Sequence, residues 1–268
     1  MTKADIADMM HATTGLSRED SDSMTESGLQ DDTFKPRQFV IPDIHGCYST
    51  FMALLGQIAL TRQDELYILG DYIDRGKESR SVIERIITLQ SQGYRIRPIM
   101  GNHELMLLNA ISSNSVEDSN QWMLSGGGAT LDSYHVDHPG KIDQKHIDFL
   151  ASLPLFITTK THVFVHAALD LTLEDPFSSM GHDSMLWDRK CVGDFKKLEG
   201  KKIVAGHTPR NLDSIRSGLS TPFIQIDNGC FRGNRFSGMG NLVALELNSQ
   251  KLFIQRHAPQ DINRRLIT

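Results

Sequence analysis

Six polar residues stand where apolar runs end, and their types are those that hold metal ions. They are Asp43 and His45 in "FVIPDIHG", Asp71 in "LYILGD", Asn102 in "RPIMGN", His166 in "VFVH" and His207 in "IVAGH". Carboxylate, amide and imidazole donors without thiolate suit Mn²⁺, Fe or Zn²⁺ rather than a soft Cu(I) site or an all-oxygen Ca²⁺ cage. Six protein ligands are too many for one catalytic ion that keeps open positions, but they suit two ions sharing one carboxylate. Ions about 3.5–4 Å apart can hold one hydroxide between them and aim it at a phosphorus whose oxygens they also neutralise. His103 then need not be a ligand. Beside Asn102 it can protonate a departing alkoxide, with Asp74 orienting the imidazole and raising its basicity. Arg75 and an arginine from "MLWDRK" supply forks matched to phosphate oxygens.

Taken singly, each motif has an ordinary explanation. Asp and Gly in "GDYIDRG" are turn formers, "GNHE" can be a helix start with Glu104 in its first turn, and a strand-end histidine is usually a packed, hydrogen-bonded residue. Their joint recurrence at successive strand ends is what points to a site. His11, His135, His138, His146, His162, His182 and His257 join no such pattern and are read as packing or surface residues.

The elements that must position these groups are legible from periodicity. After "RQFVIPDIHG", the stretch "TFMALLGQI" places Phe51, Leu54, Leu55 and Ile58 on one helical face, with Ser49 a candidate N-cap. "DELYILGDYIDRG" leads into "SRSVIERIITLQSQG", where Val82, Ile83, Ile86 and Ile87 recur at helical spacing and Gly93 suits the C-terminal cap; "YRIRPIMGNHE" leads into "LMLLNAI". Three strand-to-helix units in succession predict parallel strands in an α/β domain, whose ligands collect beyond the carboxyl ends of the strands. The second half, in "LFITTKTHVFVHAAL", "KKIVAGHTPR", "TPFIQIDNGC" and "NLVALELNSQKLFIQRH", has short runs rich in Val, Ile, Phe and Thr, which favour hairpins and strands. Between the halves a short helix is expected near His146 to Ser152, and "SGGG" at 125–128 is expected to be a flexible loop near the site.

Composition narrows the class. A chain of 268 residues, 39% hydrophobic, can bury one sizeable core. The net charge of −5 resides in residues 1–36, which carry eight acids against three bases, so the rest is balanced and offers no basic face for nucleic acid. Residues 1–36, rich in Ser, Thr and Asp, read as a disordered acidic tail before a domain over 37–268, with Met24 a second candidate start. No apolar run spans a bilayer and no secretory signal is visible. Cys47, Cys191 and Cys230 are odd in number and scattered, which argues against a disulfide framework or a thiolate zinc site and favours the cytoplasm.

The ordered set "PDIHG", "GDYIDRG", "GNHE", "VHA", "LWDR" and "AGHT" resembles the phosphoprotein phosphatase family of binuclear metallophosphoesterases, in particular its compact bacterial and phage members. The resemblance implies a calcineurin-like metallophosphoesterase αββα sandwich of mixed sheets. It implies two divalent ions, Mn²⁺ first with Fe or Zn²⁺ as alternatives: one on Asp43, His45 and Asp71, the other on Asp71, Asn102, His166 and His207. By the same carry-over His103 and Asp74 are the acid pair, and Arg75 and Arg189 bind phosphate. The chain departs from the family where Pro42 replaces the usual Gly and where Ala167 or Ala168 replaces another, a methyl expected to narrow the pocket.

Three functions follow from the resemblance. The first is a protein phosphatase acting on phosphoserine, phosphothreonine or phosphotyrosine, whose partners are phosphorylated proteins or peptides, with no nucleic acid or membrane partner and a monomer favoured. The second is a dinucleoside polyphosphate hydrolase of the same superfamily; such relatives usually lack an acid at the position of Asp74 and carry Asp at that of Glu104. The third is an inactive module that recognises phosphorylated partners.

Overall fold

The computed structural model describes residues 36–113 and 115–261. The tail read over 1–36 therefore lies, but for Pro36, outside the described residues.

Strands β1 (Gln38–Ile41), β2 (Glu65–Ile68) and β3 (Arg95–Pro98) are adjacent and parallel, with Phe39 opposite Leu66 and Leu66 opposite Ile96. The crossovers are helices α1 (Tyr48–Ile58) and α2 (Ser79–Ser91). They bury Phe51, Leu54, Leu55 and Ile58, and Val82, Ile83, Ile86 and Leu89, at the spacing of one helical face. Ser49 does not cap α1. The helix begins one residue before it, and the N–H groups of Ser49 and Thr50 donate to the Asp261 carboxylate at 3.1 and 2.8 Å. Gly93, at φ +82°, closes α2 in a Schellman turn: Tyr94 N–H donates to Leu89 O and Gly93 N–H to Gln90 O.

After β3 come α3 (Asn102–Ser112), α4 (Val116–Trp122), α5 (Gly128–Tyr134) and α6 (Gln144–Ala151). The "SGGG" stretch is a short kink between two helices: the chain turns over Met123–Gly127 from α4 into α5, with Gly126 outside helical φ/ψ. There Gly126, at φ +113°, accepts the Arg75 N–H, and a Cβ on Gly127 would lie 2.5 Å from the Trp122 ring. Glycine lets this segment pack directly on its neighbours.

The second half supplies β4 (Phe156–Thr158), β5 (His162–Val165), β6 (Asp170–Leu171), α7 (His182–Trp187), β7 (Val192–Gly193), β8 (Lys202–Ala205), α8 (Leu212–Gly218), β9 (Phe223–Gln225), β10 (Asn241–Glu246) and β11 (Lys251–Arg256). The expected hairpins form at β4-β5 and β10-β11, whereas β5, β8 and β9 run parallel. The β10-β11 hairpin adds antiparallel to β1, so the two main sheets are mixed, in the orders β11-β10-β1-β2-β3 and β4-β5-β8-β9.

Strand residues alternate between two apolar layers, as a period of two requires. Val40, Tyr67, Phe164, Val204, Val243 and Leu245 fill the space between the sheets. Phe39, Ile41, Leu66 and Ile68 of one sheet and Val163, Val165, Ile203 and Ala205 of the other point away from that layer, into the larger apolar cluster that also holds the helical faces of α1 and α2. Tyr67 from one sheet stacks on Phe164 from the other, ring centroids 3.9 Å apart. This α/β sandwich of mixed sheets brings the carboxyl ends of β1, β2, β3, β5, β8 and β9 into use as loops, and the polar strand ends meet there. No helix among the described residues is long and apolar enough to cross a membrane.

Candidate metal centre

Asp71, which follows β2, is the hub. Its Oδ2 lies 3.5 Å from His45 Nε2 and its Oδ1 lies 3.5 Å from His166 Nε2, so its two oxygens face two different donor groups. On one side Asp43 Oδ2 is 3.9 Å from His45 Nε2. On the other, His166 Nε2 is 2.9 Å from Asn102 Oδ1 and 3.1 Å from His207 Nδ1. All six strand-end residues come together. Asp43, His45, Asp71, Asn102 and His166 are buried, and His207 is partly so.

The backbone holds these side chains in conformations that L residues seldom adopt. His45, Asp71, Asp74, Arg75 and His207 all have φ between +48° and +70°, a strain that persists only where the surroundings fix it. Neighbouring glycines allow the approach. A Cβ on Gly101 would collide with Asp71 Oδ1, and one on Gly206 with Asp43 Oδ1. Glu104, at the start of α3, accepts the N–H groups of Asp71 and Tyr72 at 2.8 Å each and of Gly101 at 3.0 Å. It braces the loop that carries Asp71 instead of merely facing the helix dipole.

The donor set fits divalent ions. His45 Nδ1 meets Ile73 O at 2.9 Å and His166 Nδ1 meets Leu69 O at 2.7 Å. Both bonds fix the proton on Nδ1 and leave the Nε2 lone pair toward Asp71, the second-sphere pattern of metal-binding histidine. Burial first, then the Arg75 cation, drives His45 well below its usual pKa; burial and His166 take His207 down to about 4. Neutral imidazoles are the form that binds metal. Burial alone would raise Asp71, but the imidazoles of His166, His103 and His45 and the Arg75 guanidinium overcome it and hold the carboxylate ionised. Burial, with Asp227 and Asp71 close by, pushes Asp43 well above the usual carboxylate range, a repulsion that a bound cation relieves.

His103 stands beside this hub, its Nε2 3.9 Å from Asp71 Oδ2 and its Nδ1 2.7 Å from Asp74 Oδ2. Trp122 Nε1 and Thr130 Oγ1 donate to the same Asp74 carboxylate, at 3.0 and 2.6 Å. Burial lowers the His103 pKa, yet Asp71 and Asp74 together raise it above the ordinary value. Arg75 lies over the Phe231 ring and donates to His45 Nε2 at 2.8 Å and to His103 Nε2 at 2.9 Å. An ion on His45 would need the lone pair that Arg75 holds, and a guanidinium so released would be free to face the cleft that it lines.

The cleft has a volume of about 510 Å³, and Asp71, Asn102, His207, Arg75 and Arg189 all border it. Arg189 is not engaged by its neighbour Asp188, which instead accepts from Ser184 Oγ at 2.6 Å. Ala167 and Ala168 are buried, with their N–H groups bonded to Met185 O and Ser184 O, and they do not border the cleft; the expected narrowing is absent. Sequence reasoning missed Asp227, buried beside Asp43 and pushed up to about 6 by burial, and the rim formed by Phe231, Arg232, Arg235 and Phe236. A polar pair ending "FIQIDN" was the available signal for Asp227.

A profile of the family described as calcineurin-like phosphoesterase matches residues 37–211. The chain is 31% identical over 217 residues to "Serine/threonine-protein phosphatase 2" of Salmonella typhimurium, covering 74% of this chain and 90% of that protein. It is 44% identical over 73 residues to "Bis(5'-nucleosyl)-tetraphosphatase, symmetrical" of an Acidovorax species, covering 27% of this chain and only 25% of that protein. Among solved structures, the cold-active protein-tyrosine phosphatase of a Shewanella species superposes with a TM-score of 0.56 at 16% identity, over 91% of this chain and 90% of that one, a likeness of fold. With its hub carboxylate, its imidazole and amide donors and this match across most of its length, the chain belongs to the calcineurin-like phosphoesterase family.

Proposed function

We propose that the chain is a metal-dependent protein phosphatase that hydrolyses phosphoserine and phosphothreonine esters, with phosphotyrosine as a further substrate. The observation that supports it most is the buried His103–Asp74 pair, which holds Nε2 beside the hub carboxylate and against Arg75, a residue of the cleft lining. Asp43, His45 and Asp71 would hold one divalent ion, and Asp71, Asn102, His166 and His207 a second, Mn²⁺ by preference with Fe or Zn²⁺ as alternatives. Bound there, the ions supply positive charge for the phosphoryl oxygens and acidify water.

The chain's own residues do the rest. Arg75 and Arg189, both lining the cleft, present guanidinium forks to the phosphoryl oxygens and orient phosphorus over Asp71. His103 delivers its Nε2 proton to the leaving alkoxide, and Asp74 stabilises the imidazolium before that transfer. Trp122 and Thr130 keep the Asp74 carboxylate from rotating away. At the mouth, Leu124 is 90% exposed and Phe236 50% exposed, an apolar rim that suits the flanks of a peptide segment. Similarity to the Salmonella phosphatase along most of both chains supports the same reading.

Arg232 and Arg235 on the same cleft favour a second reading, the hydrolysis of a dinucleoside polyphosphate, whose phosphates would engage more guanidinium groups than a monoester does. The deciding experiment is phosphate release after chelation and re-addition of Mn²⁺, with phosphoserine, phosphothreonine and phosphotyrosine peptides and diadenosine tetraphosphate in parallel. Metal-restored turnover of the peptides is the expected result. Activity confined to the dinucleotide selects the second reading, and no turnover with both ions bound leaves a phosphate-recognising module.

A further inference from the structure

Outside the cleft, the fold gathers three metal-binding side chains that the sequence keeps far apart. Cys47 opens α1, Cys230 follows β9, and His257 follows β11. Their ligand atoms all lie within 4.8 Å of one another. His257 Nδ1 is 3.9 Å from Cys47 Sγ and 4.0 Å from Cys230 Sγ. Both sulfurs are fully buried, and His257 is 9% exposed. The other ring nitrogen, Nε2, is buried with no hydrogen-bond partner, so the imidazole's polar capacity is directed at the two thiols. All three cysteines are free thiols.

We propose that Cys47, Cys230 and His257 form a separate zinc site. A tetrahedral ion with zinc–sulfur and zinc–nitrogen bonds of about 2.3 and 2.0–2.1 Å sets neighbouring sulfur and nitrogen about 3.6 Å apart, so the two nitrogen–sulfur edges, at 3.9 and 4.0 Å, close on an ion by shortening a few tenths of an ångström. Two sulfurs and one imidazole select a thiophilic ion, in contrast to the oxygen and nitrogen donors around Asp71. His257 also lines a surface hollow of about 430 Å³, through which water can supply the fourth ligand.

The site has a structural consequence. Cys47 lies two residues beyond His45, and the Phe231 ring next to Cys230 packs edge-on against the His45 ring at 4.9 Å. Asp261, four residues after His257, accepts the N–H groups of Ser49 and Thr50 at the start of α1. An ion on the triad therefore ties the segments of Cys230 and His257 to the loop that carries His45 and Cys47, where scattered cysteines gave no sign of it in the sequence.

The proposal does not rest on the phosphatase reading, and cobalt separates the two. A thiolate-to-cobalt charge-transfer band in the near ultraviolet arises only from sulfur ligands, and the donors around Asp71 include none. Full-length chain, stripped by chelation under reducing conditions and titrated with Co²⁺, is expected to show the band and to lose it when Zn²⁺ is added. Cys47→Ser and Cys230→Ser each abolish it, while Asp71→Asn and Cys191→Ser retain it. Wild-type protein that takes up Co²⁺ without the band overturns the proposal, as does a band lost in Cys191→Ser or kept in Cys230→Ser. The wild-type titration and the Cys191→Ser control decide the matter even where a buried serine prevents folding.

Discussion

Asp74 receives three donors at once: His103 through Nδ1 at 2.7 Å, Trp122 through Nε1 at 3.0 Å and Thr130 through Oγ1 at 2.6 Å. Held by these bonds, the carboxylate fixes the imidazole with Nε2 beside Asp71 and against Arg75, which lines the cleft. Preorganisation of this kind is what proton transfer to a leaving group requires.

His103→Asn tests that role. General-acid catalysis contributes roughly 10²–10⁴-fold, so kcat on a phosphopeptide is expected to fall about a hundredfold or more. The variant keeps its metal content, because His103 is the neighbour of the hub and not one of its six proposed donors. Parallel kcat and metal analyses check both halves; unchanged turnover removes His103 from the mechanism.

Asp74→Asn should move the pH profile instead of erasing it. Asp71 and Asp74 raise the His103 pKa against the effect of burial. Deleting the Asp74 charge lowers that pKa, so the proton-bearing form disappears at a lower pH. The alkaline limb of the kcat profile is therefore expected to shift toward acid, and a limb that stays in place disconnects Asp74 from the titrating group.

Asp71→Asn has a different signature. Because Oδ1 and Oδ2 face separate donor groups, loss of the carboxylate charge is expected to empty both positions together, so that two ions per chain are lost relative to wild type by mass spectrometry after buffer exchange, whatever Cys47, Cys230 and His257 retain. Full occupancy contradicts the bridging role.

The strand ends were legible because a period-two apolar run ends abruptly in Asp, Asn or His, and parallel strands leave such ends on one side. The braces were not. Trp122 and Thr130 reach Asp74 from 48 and 56 residues away, and they flank the glycines whose composition resembles a loop. Those glycines are small because Arg75 and Trp122 occupy the space a side chain would fill, a fact of packing that no local pattern carries. Cys47 and His257 are 210 residues apart, and only the arrival of the segment after β11 beside α1 brings them together.

Glu104 shows the same distinction most sharply. In the sequence it is an acid in the first turn of a helix; in the fold its oxygens take the N–H groups of Asp71, Tyr72 and Gly101. Burial first, and then the Asp71 charge, push its carboxyl up to about 8, so helix-dipole stabilisation does not describe its role. Glu104→Ala leaves three buried donors unpaired, each costing about 1–3 kcal/mol, and partial relaxation brings the expected loss to about 3 kcal/mol or more. Glu104→Gln keeps one acceptor oxygen and should lose less. Urea unfolding of the chelated proteins measures both, free of any contribution from bound ions. A loss below about 1 kcal/mol for Glu104→Ala means that water reaches the loop and replaces the carboxylate. The expected larger loss, accompanied by weaker metal binding, means that Glu104 holds Asp71 in the left-handed conformation on which the centre depends.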